Sequence, residues 1–174
     1  LECIIAPSFS KEAVEILKKK KNLRVVSVNT DYNEAFISIK SVAGGYLYQQ
    51  KDSLQGELNN LNIVTKRKPT DNEYNAMDVG WKLVRQVKSN AIVLADKMQL
   101  LGVGAGQMSR IDSVKIAIQK VTNNGLNLRG STMASDAFFP FPDSVELAAE
   151  AGITAVIQPG GSIKDDEVIK TANK

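Results

Sequence analysis

The run Ala91-Ile92-Val93-Leu94-Ala95-Asp96-Lys97-Met98-Gln99-Leu100-Leu101-Gly102-Val103-Gly104-Ala105-Gly106-Gln107 places two apolar stretches on either side of a polar turn. Short continuous apolar runs bounded by turn residues mark strands buried on both faces. The spacing predicts a hairpin: a buried strand over 91–95, a turn at Asp96-Lys97-Met98 and a second strand over 99–104. After Ser109 the period becomes helical, with apolar residues at Val114, Ile116, Ala117, Ile118 and Val121. The segment Gly102 to Gly106 therefore lies between a strand and a helix. Glycines there let backbone approach a ligand, and the helix N-terminus offers free N–H groups to an anion or carbonyl. The same residues also suit a plain tight turn. The dinucleotide fingerprint is excluded, because its third glycine would fall on Gln107 and no acidic residue stands where a ribose partner is needed.

Downstream, the pattern predicts a strand over 132–135, a loop through Phe138 to Asp143, a helix over 144–151, a strand over 153–157, a turn at Pro159-Gly160-Gly161-Ser162 and a final helix from Asp165. Upstream, Thr70 and Glu73 form a capping box that opens a long helix running to Val87, after a strand over 62–66. Pro69 is read as the boundary between an N-terminal portion, 1–68, and a second unit, 69–174. In the first portion, Cys3 to Ala6, a helix over 11–21 capped by Ser10, and Leu23 to Val28 follow the order of a parallel βαβ unit. Short strands over 36–48 flank Gly44-Gly45. The simplest architecture is α/β, with helices on both faces of a mixed sheet in three layers.

Composition narrows the chemistry. The chain of 174 residues is 43% hydrophobic and 24% charged, as ordinary globular proteins are. No apolar run approaches the roughly 20 residues needed to cross a bilayer, and the N-terminus has neither a basic region nor a cleavage site. A membrane or secreted protein is not expected. One cysteine, Cys3, excludes an intrachain disulfide, and with no His there is no local His/Cys set for zinc or iron, so a reducing cytoplasm and no metal are expected. General acid-base work near neutral pH falls most often to His, so it must use other groups or another segment. The cluster Lys18-Lys19-Lys20-Lys21 complements a helix C-terminus. A nucleic-acid patch is the other reading, though no aromatic residues interleave the lysines. The chain begins at Leu1 and stops soon after its last helix starts, and it is read as a piece of something longer.

Four places can carry chemistry. Arg110 is a forked donor for a carboxamide, carbonyl or phosphate, or else a surface partner of Asp112. Asn90 can donate to and accept from a planar amide ligand, or cap a helix. The loop Ser135-Asp136-Ala137-Phe138-Phe139-Pro140-Phe141-Pro142-Asp143 is stiff and apolar, suited to line a slot for a flat heterocycle, and its Asp143 either meets a ligand or caps a helix. Pro159 to Ser162 gives a strand-to-helix turn with exposed N–H groups, and turns at strand C-termini are where α/β sheets gather ligands.

In their wording, Lys88 to Val93, Gly102 to Arg110, Ser135 to Asp143 and Gln158 to Ser162 resemble the signature segments of the AICAR transformylase family, the formyl-transfer part of bifunctional enzymes that also carry IMP cyclohydrolase. The resemblance runs essentially from end to end. It implies formyl transfer from the co-substrate 10-formyltetrahydrofolate to the 5-amino group of AICAR, on a cytidine-deaminase-like α/β/α fold duplicated in the full transformylase. It also implies that Asn90, Arg110 and Phe138 contact AICAR, that Ile111, Asp143, Ser162 and Ile163 contact the folate, and that a homodimer shares the site. The family's catalytic Lys-His motif and its C-terminal phosphate-binding arginine have no counterpart here, and the cyclohydrolase part is missing. No catalytic residue is therefore assigned within the chain, which alone is expected to be inactive. A zinc deaminase of the same fold would need H-x-E and P-C-x-x-C elements, and neither is present. A basic binding module without catalysis is the alternative, motivated by the lysines and a sequence pI near 8.9.

Overall fold

Ser10 begins the first helix as its sequence foretells: its hydroxyl accepts the Ala13 N–H at 3.1 Å and satisfies one of the helix's orphan donors. The computed structural model describes residues 1–28, 37–50, 58 and 61–174. The chain divides into two compact units, Leu1–Ser53 and Leu54–Lys174. In the first unit, β1 (Cys3–Ala6) and β2 (Arg24–Ser27) pair in parallel around α1 (Lys11–Leu17), and β3 (Ile37–Val42) and β4 (Gly45–Gln50) form an antiparallel hairpin. Gly44 turns that hairpin at φ 83°, where a side chain would be strained. Phe36, expected to open β3, lies outside the described residues. Helix α1 stops at Leu17, short of the expected Lys21, because the amides of Lys19 and Lys20 bond three residues back and tighten the chain out of the helix.

The division at 53/54 places Pro69 inside the second unit rather than at its start. Leu58 and Leu61 pack against that unit's core, and Arg67 reaches both Glu73 and the Thr154 carbonyl. No strand forms over 62–66. The Lys66 amide donates to Asn173 Oδ1 at 2.8 Å, so this backbone group goes to a side chain instead of a ladder.

The second unit comprises α2 (Asp71–Val84), β5 (Ile92–Ala95), β6 (Leu100–Gly104), α3 (Arg110–Asn123), β7 (Thr132–Ser135), α4 (Asp143–Glu150), β8 (Ala155–Ile157) and α5 (Asp165–Ala172). Helix α2 opens with the expected reciprocal capping box of Thr70 and Glu73 but ends at Val84, because Gln86 and Val87 donate three residues back. Strand β8 is shorter than its apolar run, since the Ile153 amide is taken by the Ala148 carbonyl at the end of α4. The sheet order is β6-β5-β7-β8, with β5 antiparallel to both neighbours and β7 parallel to β8.

Alternation along the strands sorts the core into two layers. Ile92, Leu94 and Met133 pack with residues of α3, α4 and α5 on one face. Val93, Ala95, Ala134 and Ile157 pack with Met77 and Val84 of α2 on the other. Both faces of β5 are thus covered, which explains its unbroken apolar run. The helices come unusually close. A Cβ on Gly102 would lie 2.5 Å from the Ala117 carbonyl oxygen, and one on Gly104 only 1.9 Å from that of Ser113. On the opposite face a Cβ on Gly80 would sit 3.1 Å from Ala134 Cβ. The glycines of β6 are required by the approach of α3, a packing use that stands beside the ligand approach and the tight turn the sequence allowed for Gly102 to Gly106.

Arg67 donates to the Glu73 carboxylate through both terminal nitrogens at 2.9 Å. That pair outweighs burial and, with bonds from Thr154 and Thr70, lowers the Glu73 pKa from 4.5 to about 2. A carboxyl depressed in the folded chain stabilises it fully above about pH 4.5 and loses that contribution as the pH falls toward 2. With Arg67 half exposed, the loss should be about 2 kcal/mol. Urea titrations between pH 7 and pH 2.5 are expected to show it, and Glu73→Gln should flatten that part of the profile. Gly104→Ala should destabilise the second unit by about 3 kcal/mol or more, because backbone on both sides must shift. Unchanged unfolding of that variant would contradict the packing.

Candidate functional site

The register aligns the strand ends. Ile92, at the start of β5, lies opposite both Gly104, at the end of β6, and Ser135, at the end of β7, while Ile157, at the end of β8, lies opposite Ala134. β6, β7 and β8 therefore finish at one end of the sheet, and β5 begins there. The segments 88–91, 105–109, 136–142 and 158–164 meet at that end, and all four of the sequence's distinctive stretches run into them. Carboxyl ends of strands, where the chain leaves for a helix, are the usual ligand position in such sheets.

Arg110 ties three of these segments together. It opens α3 with 8% of its surface exposed. Its Nη1 donates to the Asp136 carboxylate, to Ser135 Oγ at 2.9 Å and to the Ala91 carbonyl at 3.4 Å, and its Nη2 donates to Asn90 Oδ1 at 2.9 Å. The same Asp136 oxygen accepts the Ala91 N–H at 3.0 Å. Burial raises the pKa of Asp136, but hydrogen bonds from Ser89, Arg110 and the Ala91 amide, with the charge of Arg110, outweigh it and hold the carboxyl below its ordinary value. The expected alternative for Arg110, a surface pair with Asp112, does not form. Asp112 instead accepts from Ser109 Oγ and lies 3.7 Å from Lys115.

Asn90 is spent on both ends of its amide. Its Nδ2 donates to the carbonyls of Gln107 at 2.8 Å and Met108 at 3.2 Å, while Oδ1 receives Arg110. It is not the C-cap of α2, which ends six residues earlier at Val84. The neighbouring Gly106, at φ 68°, donates its N–H to the Lys88 carbonyl at 2.8 Å. Loop 105–109 is thus clamped to loop 88–91.

The remaining expected residues lie on the outer rim. Phe138 is 43% exposed, whereas the adjacent Phe139 is fully buried and its N–H donates to Gln158 Oε1 at 2.8 Å, joining the loops that follow β7 and β8. Asp143 is exposed and is the first residue of α4, not its cap: Pro142 holds the N-cap position, and Asp143 Oδ1 accepts the Ser144 N–H at 2.7 Å. Ile111 is half-buried in the first turn of α3. Ser162 is half-buried, and its hydroxyl accepts the Lys164 N–H at 3.1 Å, while Ile163 is wholly exposed. The N–H groups of Gly161 and Ser162, expected to face outward, both donate to Asp165 Oδ2. Met108, Phe141 and Ile163 add exposed apolar side chains around this sheet end, the kind of surface that marks a binding site.

Sequence reasoning missed Asp136, Gln158 and Asp165 as organisers of this end. The signal for Asp136 was present, because a guanidinium on the buried side of a helix start demands a carboxylate and Asp136 directly follows the last residue of β7. Nothing in the local spelling singles out Gln158. Among the described residues no group of three His, Cys, Asp or Glu side chains converges as a metal site would require, and no helix is long and apolar enough to cross a membrane.

Residues 1–120 match the family model of the AICARFT/IMPCHase bienzyme. Over its whole length the chain is 54% identical to the bifunctional purine biosynthesis protein PurH of Bacillus cytotoxicus, and it spans 34% of that protein. The proteins of the same name from Bacillus thuringiensis (strain Al Hakam) and Bacillus cereus (strain AH820) are each 54% identical over 99% of the chain, which again spans 34% of their length. The chain belongs to the AICARFT/IMPCHase bienzyme family.

Proposed function

We propose that the sheet end of the second unit binds AICAR and 10-formyltetrahydrofolate and orients them for transfer of the formyl group to the 5-amino nitrogen of AICAR, within a bifunctional purine-biosynthesis enzyme. The observation that carries this reading is the meeting of four segments, 88–91, 105–109, 136–142 and 158–164, at one end of the sheet, three of them tied through a buried Arg110. The family supports the substrate classes, since the relatives are named for purine biosynthesis. In this reading the three-layer unit is a cytidine-deaminase-like sandwich, the enzyme works in the cytoplasm, and a homodimer completes each site.

An amine conjugated to a heterocycle is a poor nucleophile, so holding it against the formyl carbon supplies much of the acceleration. Arg110 has a second Nη2 proton beyond the bond to Asn90, and that donor is assigned to the carboxamide of AICAR. Phe138, held by its buried neighbour Phe139, supplies a face for the imidazole ring. Asp143, Ser162, Ile163 and Ile111 are assigned to the folate, with the Asp143 carboxylate accepting from the N–H edge of the pterin ring. The sequence holds no His, so the chain's part is binding and orientation, and proton transfer is assigned to other groups.

Calorimetric titration with AICAR tests this assignment. Arg110→Lys keeps the charge but loses the fork, and it should weaken AICAR binding about tenfold, equivalent to ~1.4 kcal/mol. A thermal melt of the same variant separates lost binding from lost folding. Equal heats from parent and variant would contradict the site. The 174-residue chain by itself should show no formyl transfer above the uncatalysed rate, and measurable turnover would overturn the division of labour.

A further inference from the structure

The turn after β8 is built from Pro159, Gly160, Gly161 and Ser162, and two of its glycines stand in the left-handed region, Gly160 at φ 73° and Gly161 at φ 97°. That backbone is closed by one side chain. Asp165 Oδ2 accepts the N–H of Gly161 at 2.7 Å and of Ser162 at 3.2 Å, and a Cβ on Gly160 would lie 3.5 Å from the same oxygen. The other oxygen, Oδ1, is buried without a partner among the described residues, so the carboxylate forgoes water to hold this position. The clamp leaves the next residue, Ile163, wholly exposed at the sheet end. Burying one carboxylate oxygen unpaired opposes stability, a cost that is explained if the loop's shape serves a ligand.

We propose that Asp165 is a positioning residue for the folate half of the site, fixing Ser162 and Ile163 through the amides of Gly161 and Ser162. This rests on the formyl-transfer reading of the sheet end. Asp165 acts through the loop and touches no reacting atom. Because the AICAR residues Asn90 and Arg110 are held by a separate set of bonds, the effect is confined to the folate.

The test measures the affinities of AICAR and of a non-reactive 10-formyltetrahydrofolate analogue by calorimetry on the 174-residue chain, together with amide exchange at Gly161 and Ser162. Asp165→Ala should weaken the analogue about tenfold, leave AICAR within about twofold, and speed exchange at both amides. Asp165→Asn retains an acceptor oxygen and should recover most of the loss. Asp166→Asn, which removes a neighbouring charge from the same first turn of α5, should change nothing. Equal analogue affinity for the parent and a folded Asp165→Ala variant overturns the clamp while leaving the formyl-transfer reading standing. So does equal weakening of both ligands. A parent chain that binds neither ligand overturns the formyl-transfer reading, and the folate role of Asp165 with it.

Discussion

A guanidinium taken out of water must find partners for its charge and its N–H groups, and Arg110 finds them at the ends of two separate strands, β5 and β7. Removing one member of such a buried pair commonly costs about 3–5 kcal/mol, because the other charge is left stranded. Asp136 supplies the countercharge and simultaneously receives the Ala91 amide, so the ion pair also fixes how loop 88–91 enters the sheet. Asn90 passes the constraint on to Gln107 and Met108. One interaction therefore holds three of the four segments that gather at this end of the sheet.

The reach of Arg110 depends in turn on how closely α3 lies against β6. Gly102 and Gly104 remove the side chains that would hold the helix away, and the first turn of α3 arrives beside the ends of β5 and β7. Backbone contact is a rigid constraint, since neither carbonyl can yield as a flexible side chain would. The fourth segment is tied differently, through Gln158 to Phe139 and through Asp165 to its own amides. A rigid inner network and a looser outer rim of Phe138, Phe141, Met108 and Ile163 divide the sheet end into a scaffold and a surface.

Much of this was legible in the sequence. The apolar run at 91–95, the helical period after Ser109 and the Thr70–Glu73 capping box are local signals, and the hairpin, α3 and the start of α2 follow them. Where the reading missed, tertiary context had overruled local pattern. The apolar spelling of 62–66 suggested a strand, but the Lys66 amide is drawn off by Asn173. The glycines of β6 allowed a ligand or a tight turn in the sequence and are used by a helix, because close backbone approach looks the same in sequence whichever partner arrives. Asn90 and Arg110, both singled out in the sequence, hydrogen-bond each other, and the Phe138 loop leaves the same sheet end, while Asp136 and Asp165 went unassigned since a carboxylate's partner is set by the fold and not by its neighbours in the chain.

In the proposed function the sheet end, and not the basic surface of the first unit, receives the purine precursor. That basic surface is a groove of about 380 Å³ lined by Val14, Leu17, Leu23 and Val25 with Lys18, Lys20 and Lys21. Amide chemical-shift mapping of the chain during titration with AICAR distinguishes the two directly. The largest shifts are expected on Lys88 to Asn90, Gln107 to Ile111 and Asp136 to Phe139. Shifts concentrated on Leu17 to Val25, with the sheet end unmoved, would contradict it.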